Sequence, residues 1–108
     1  MNRNPIGTEK PHVYLQNYIK NTHKVVLEIY YGNGTPKYHP VTQKPYMNYC
    51  IVQAYNNMDD ARAGRDCIEE TVSYCSEKDN YNKRIGLLIA LRRMNVALKK
   101  TPGWKFKN

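Results

Sequence analysis

Residues 79–100 form a run that strongly favours a helix, and any fold of this chain has to accommodate it. The run is rich in Leu, Ala, Lys and Arg, which have high helix propensity or suit the last turn of a helix. Ser76 or Asp79 can cap its start, and Pro102 and Gly103 follow its end. These signals predict a long C-terminal helix.

Helical spacing divides the apolar residues of this run into two stripes and a line of small residues. The first stripe holds Tyr81, Ile85, Leu88, Ile89 and Val96. The second stripe holds Leu87, Leu91, Met94 and Leu98, and the small residues are Gly86, Ala90 and Ala97. Because a helix in a small domain needs one buried stripe, the surplus predicts a homo-oligomer, a dimer or a dimer-based ring. The predicted oligomer interface consists of Gly86, Leu87, Ala90, Leu91 and Met94.

Two segments upstream alternate in the manner of strands. Residues 24–31 are dominated by β-branched and aromatic side chains. Residues 46–55 place Cys50, Val52 and Ala54 on one face and tyrosines on the other. Residues 59–75 fit either a helix begun at Asp59 or a strand, and residues 65–75 favour a strand modestly, because Thr, Val and Tyr are frequent there. The predicted fold class is therefore α+β, a small antiparallel β-meander followed by the long helix.

Other segments are less definite. Residues 12–23 fit a helix or a strand equally well, and residues 32–45 form a long loop containing several Gly and Pro. Turn-forming residues follow at 56–64. With 108 residues the chain predicts a single domain, in which residues 1–11 and 102–108 are loosely ordered.

Charge and composition narrow the kinds of partner. Lys and Arg number 17 against 9 Asp and Glu, a formal charge of +8 that attracts polyanions. No apolar run approaches the length of about 20 residues that spans a bilayer, so no membrane association is expected. The 3 cysteines are odd in number, and no signal-peptide pattern or metal-ligand spacing accompanies them. Reduced cysteines, no metal and no cofactor are predicted.

The start of the helix combines residue types that bind nucleotides. Asp79 and Asn80 can contact a base or ribose, and Tyr81 can stack on a base. The cations that could hold phosphates are Lys83, Arg84, Arg92 and Arg93, with Arg62 and Arg65 as further ligand-binding candidates. The alternative is structural: a capped helix, a core tyrosine and a solvated charged face. No phosphate-loop motif or nucleophile-base pair is present, so a binding protein rather than an enzyme is predicted.

The segment "TVSYCSEKDNYNKRIGLLIALRRM" resembles small phage and prophage proteins in which a β-meander precedes the pattern C-S-P-K-D-N-F-x-x-K-x-G-R-x-x-A-x-x-R. The matching positions are Cys75, Ser76, Lys78, Asp79, Asn80, Tyr81, Arg84, Gly86, Ala90 and Arg93. Glu77 replaces the usual Pro, Tyr81 replaces Phe, and Leu87 replaces an Arg. The characterised relatives it looks most like are the first Thoeris anti-defence family.

This resemblance implies a phage-encoded sponge acting in the cytoplasm of an infected bacterium. Such proteins bind cyclic ADP-ribose-type immune signals, and in some cases cyclic oligonucleotides such as CBASS signals, without cleaving them. It also implies a symmetric oligomer with ligand pockets shared between copies. Two other functions compete with it: a basic nucleic-acid-binding or anti-CRISPR protein that uses its charge and tyrosines, and a protein inhibitor that uses the two-stripe helix.

Overall fold

The computed structural model describes residues 10–32, 34–75 and 82–106, which form an α+β fold. Its elements, in chain order, are α1 (Pro11–His23), β1 (Val26–Tyr31), β2 (Lys37–Tyr38), β3 (Pro45–Tyr46), β4 (Asn48–Tyr55), α2 (Met58–Ala63), β5 (Glu69–Cys75), α3 (Lys83–Lys100) and a 3₁₀ helix at Gly103–Lys105. The predicted small antiparallel sheet followed by a C-terminal helix is confirmed. Within the described residues, no helix is long and apolar enough to cross a membrane.

The main sheet has three antiparallel strands in the order β1-β4-β5. Val52 at its centre lies opposite Ile29 on β1 and Thr71 on β5. The predicted alternation of β4 is confirmed, because Cys50, Val52 and Ala54 are completely buried beneath the helices. The loop at 32–45 carries β2, which pairs with β3 in a separate two-stranded ribbon.

Helices α3 and α1 cover one face of the sheet and supply most of its core. Leu87, Leu91 and Met94 of α3 pack with the buried side chains of β4, and Ile19 of α1 joins the same cluster. The two helices run in the same direction, since the start of α1 lies beside the start of α3. Towards their ends, His23 Nε2 lies 3.1 Å from Asn95 Oδ1.

The contact between α3 and β5 is close and hydrogen-bonded. Ser73 Oγ donates to the carbonyl of Gly86 at 2.7 Å, and Thr71 Oγ1 donates to the carbonyl of Ala90 at 2.8 Å. At the far end, Thr101 Oγ1 donates to Glu69 Oε2 at 2.8 Å. Small helix residues permit this approach, so the line through Gly86 and Ala90 serves packing within one chain.

The residues predicted as an oligomer interface therefore lie inside the chain. Leu87, Ala90, Leu91 and Met94 are at most 4% exposed, and Gly86 faces β5. Burial by the chain's own sheet leaves this face of α3 with no surface to offer a second copy. The exposed stripe is the other one, which contains Ile85, Ile89 and Val96.

Several local expectations are settled by the described residues. Residues 12–23 belong to a helix, and 65–75 contain a strand, as favoured, at Glu69–Cys75. The predicted turn at 56–64 contains the short helix α2, capped by Asn57, whose side chain accepts from the amide of Asp60. Helix α3 is capped by Asn82, whereas Ser76 and Asp79 lie outside the described residues. Residues 102–106 include the 3₁₀ helix, and Phe106 packs against the core.

The cysteines differ in accessibility, which predicts different reactivity. Cys50 is 0% exposed, and burial raises the pKa of its thiol to about 11. Because the thiolate is the nucleophile, the raised pKa lowers the reactive fraction of Cys50 at pH 8. We expect iodoacetamide to modify the exposed Cys67 well before Cys50, as measured by peptide mass spectrometry. Denaturant should abolish the difference, and equal rates in the native protein would contradict the buried position.

Candidate anion-binding site

The cations predicted to bind a ligand are divided between α3 and the region of α2. Lys83, Arg84, Arg92 and Arg93 all lie on α3 and are exposed. Arg62 lies in the last turn of α2, and Arg65 follows that helix. Asp79, Asn80 and Tyr81 lie outside the described residues. The structure thus brings together only part of the predicted set.

A groove on the outer side of α3 brings two of the predicted arginines together. It has a volume of about 510 Å³ and is lined by Arg92, Arg93, Val96, Ala97 and Lys100. Three cations surround an aliphatic floor, and the groove is shallow and open to solvent. This arrangement favours an anion that also carries an apolar or ring-shaped part.

Arg93 is held in place by the sheet. Its Nη1 donates to the backbone carbonyl of Val72 on β5 at 2.6 Å. A guanidinium carries five N–H donors, so this hydrogen bond orients the group while using one of them. An arginine fixed in this way loses less conformational entropy when it binds a phosphate than a freely moving one.

Lys100 belongs to this groove, although it was not among the predicted ligand residues. Because Lys100 lies near the end of the helix, it was interpreted as stabilising the helix dipole, which favours cations there. The missed signal is helical spacing: residues 92, 93, 96, 97 and 100 share one side of a helix. Helix α3 also contains no Asp or Glu, so its own sequence supplies no carboxylate to neutralise these cations.

Lys83 and Arg84 lie elsewhere, at the start of α3. Lys83 Nζ is 5.2 Å from the centre of the Tyr31 ring, a cation-π distance. Arg84 lines a separate cleft of about 210 Å³ with Lys10, Pro11, His12, Ile85 and Leu88. The predicted row of phosphate contacts is therefore split between the start of α3 and its C-terminal half.

The remaining candidates have local structural roles or other positions. Arg65 Nε forms an ion pair with Asp60 Oδ1 at 3.0 Å, which ties the end of α2 to its first turn. Neither Arg62 nor Arg65 lines the α3 groove. Arg65 is thus a structural contact in this fold rather than part of the cationic groove.

The tyrosines considered as a stacking surface separate into buried and exposed groups. Tyr49 and Tyr55 are buried. Tyr46 packs with Tyr74, with ring centres 5.1 Å apart. Tyr30 and Tyr38 remain exposed at 45% and 59%, so two of these rings are accessible to a planar partner.

Comparison with known proteins gives no match from family models, from curated proteins or from solved structures. The resemblance at residues 75–93 to phage anti-defence proteins therefore stays a prediction. Of the described residues of that segment, Arg92 and Arg93 line the α3 groove.

Proposed function

We propose that this chain is a phage-encoded, non-enzymatic sponge that sequesters a cyclic nucleotide immune signal in the α3 groove. The ligand is of the cyclic ADP-ribose type or a cyclic oligonucleotide, and the site of action is the cytoplasm of the infected bacterium. The observation that carries the proposal is the convergence of Arg92, Arg93 and Lys100 around Val96 and Ala97. A cyclic nucleotide has the matching chemistry, phosphates attached to rings.

In this proposal each lining residue has a definite role. The planar guanidinium groups of Arg92 and Arg93 each present paired donors to phosphate oxygens, and the ammonium of Lys100 adds a point charge. Val96 and Ala97 contact the sugar or base.

Binding without cleavage is consistent with the lining of the groove. Cleavage of a phosphodiester by acid-base catalysis uses a positioned group that moves a proton. The described lining residues are arginine, lysine, valine and alanine, whose cations are poor general bases at neutral pH. These side chains can bind a phosphate, and binding alone is enough to sequester a ligand.

A homo-oligomer is also part of this proposal. The face of α3 with Leu87, Leu91 and Met94 is already buried within one chain. Copies would therefore associate through a different surface, and size-exclusion chromatography with light scattering, with and without ligand, measures whether they do.

The first test is calorimetric titration with cyclic ADP-ribose isomers and with cyclic di- and trinucleotides. A specific ligand should bind and be recovered intact after heat denaturation, as judged by mass spectrometry. Arg92→Ala with Lys100→Ala should weaken binding at least about tenfold, because each contact with a charged group contributes roughly 1.5 to 3 kcal/mol.

Lys100→Ala alone is also measured, and Lys99→Ala is its matched control. Lys99 is exposed on the same turn and its loss removes one charge, but it does not line the groove. Its effect should be at most a few-fold. If Lys99→Ala weakens binding as much as Lys100→Ala, the affinity reflects overall charge and the groove is not the site.

A nucleic-acid-binding or anti-CRISPR function is the second candidate. It is supported by the +8 charge and by the exposed rings of Tyr30 and Tyr38, since aromatic rings stack on unpaired bases. Affinity for a short DNA should then fall steeply with salt. Tyr30→Ala with Tyr38→Ala should weaken it, whereas the cyclic nucleotide should be unaffected by these two changes.

A further inference from the structure

Helix α3 has an exposed apolar stripe on the side opposite the core. Ile85, Ile89 and Val96 are 57%, 37% and 50% exposed. They are separated by four and seven residues, so they lie in one row along the helix. We call this row the outward stripe, and its spacing is that of a helix surface which packs against another helix.

Cations surround the outward stripe. The charged residues of α3 are Lys83, Arg84, Arg92, Arg93, Lys99 and Lys100, and the helix contains no Asp or Glu. Arg92 lies in the row itself, between Ile89 and Val96. In paired helices, the charges beside an apolar seam select the partner.

This charge pattern opposes pairing with a second copy. If two copies of α3 paired in parallel, Arg92 of one copy would lie opposite Arg92 of the other. An antiparallel pair would still bring two basic helices together. Like charges across an interface cost free energy and exclude the wrong partner. A helix with acidic flanks has the complementary pattern.

We propose that the outward stripe is a docking site for an acidic amphipathic helix of a partner protein. The partner's apolar residues would pack on Ile85, Ile89 and Val96, and its Asp or Glu side chains would pair with Arg84, Arg92 and Lys99. From residue 85 to residue 96 the stripe measures about 16 Å, so it accommodates about three turns of helix. Docking through apolar anchors with charged flanks is a recurrent mode of helix recognition.

This inference does not rest on nucleotide binding. The groove residues Arg93, Ala97 and Lys100 are outside the apolar row, whereas Arg92 and Val96 belong to both surfaces. Variants of the isoleucines therefore separate peptide docking from anion binding.

The probe is a fluorescein-labelled synthetic peptide of about 18 residues, long enough to form a helix. It carries Leu at heptad seam positions and Glu on both sides, and a scrambled peptide of identical composition is its control. Fluorescence anisotropy should show saturable binding of the first peptide only. Ile85→Gln with Ile89→Gln should weaken that binding at least about tenfold, and Val41→Gln, which removes an 82% exposed apolar side chain elsewhere, should not.

Other occupants would give different results, and each overturns the proposal. Equal binding of the scrambled peptide would show that charge alone is recognised. Isoleucine-dependent binding to phosphatidylserine vesicles, without peptide binding, would identify a lipid surface. A concentration-dependent mass that disappears in the double variant would identify a second copy. Because both isoleucines are exposed, circular dichroism should show an unchanged fold in the double variant, so loss of peptide binding is assigned to the stripe.

Discussion

Replacing Leu91 with alanine is expected to destabilise the folded chain by about 2 to 5 kcal/mol, because the substitution leaves a cavity in the core. Leu91 is 0% exposed and belongs to the cluster that α3 forms with Cys50 and Val52 of β4. The large effect follows because no solvent or partner can fill the space. Urea unfolding followed by circular dichroism measures the change as a lower midpoint with an unaltered slope.

Val96→Ala is the control for this substitution, since Val96 lies on the same helix and is half exposed. Its effect should be about 0.5 kcal/mol or less. Protein concentration separates core from interface: a core leucine lowers the stability equally at every concentration, whereas an interface leucine would make the loss concentration-dependent. A small or concentration-dependent effect of Leu91→Ala would contradict its position in the core.

Gly86→Leu is expected to destabilise the chain by about 1 to 3 kcal/mol through overpacking between α3 and β5. A Cβ built on Gly86 lies 3.4 Å from Ser73 Oγ and 3.9 Å from Cys50 Cβ. One carbon is tolerated at those distances, but the further carbons of leucine would push the helix from the strand. The hydrogen bond from Ser73 Oγ to the Gly86 carbonyl would be strained or lost. Thermal and urea unfolding measure the effect.

Gly86→Ala is the matched variant at the same position. Alanine gains about 1 kcal/mol of helix propensity over glycine, and its Cβ makes an ordinary contact with Ser73. The expected stability is equal to that of the unchanged protein or slightly higher. If the Gly86→Leu variant is as stable as the Gly86→Ala variant, α3 does not approach β5 as closely as described.

The sheet and the long helix were predictable because their signals are local. The alternation of Cys50, Val52 and Ala54 fixed the inner face of β4, and the composition before Pro102 fixed the end of α3. The segment of helix α2 was predicted as a turn, with a helix beginning at Asp59 left as an alternative, and its shortness prevented a choice. Its stability comes from the Asn57 cap and from the ion pair between Arg65 and Asp60, features that also occur in turns.

Which of the two apolar stripes of α3 is buried depends on tertiary contacts, so the sequence alone could not identify it. Both stripes are apolar, and the decision depends on which face can approach β5. Thr71 and Ser73 donate to helix carbonyls, which requires small residues at Gly86 and Ala90. For the site, the pairing of Arg92 with Arg93 was predictable from adjacency. The separation of Lys83 and Arg84 from them also follows from helix geometry, because eight or nine residues span about 12 to 14 Å along α3.

The hydrogen bond from Arg93 to Val72 also limits how the sheet can be extended. Tyr49 of β4 bonds to Gly32 after β1, and hydrogen-bonding direction alternates along antiparallel strands. Ile51, two residues after Tyr49, therefore also directs its backbone N–H and C=O towards β1. Val72 of β5 lies opposite Ile51, so its carbonyl is not bonded to β4 and points to the open edge of β5. Open edges are templates for strand addition and aggregation, and a charged side chain placed there blocks them. A strand that joined the sheet beside β5 would first have to displace the guanidinium of Arg93.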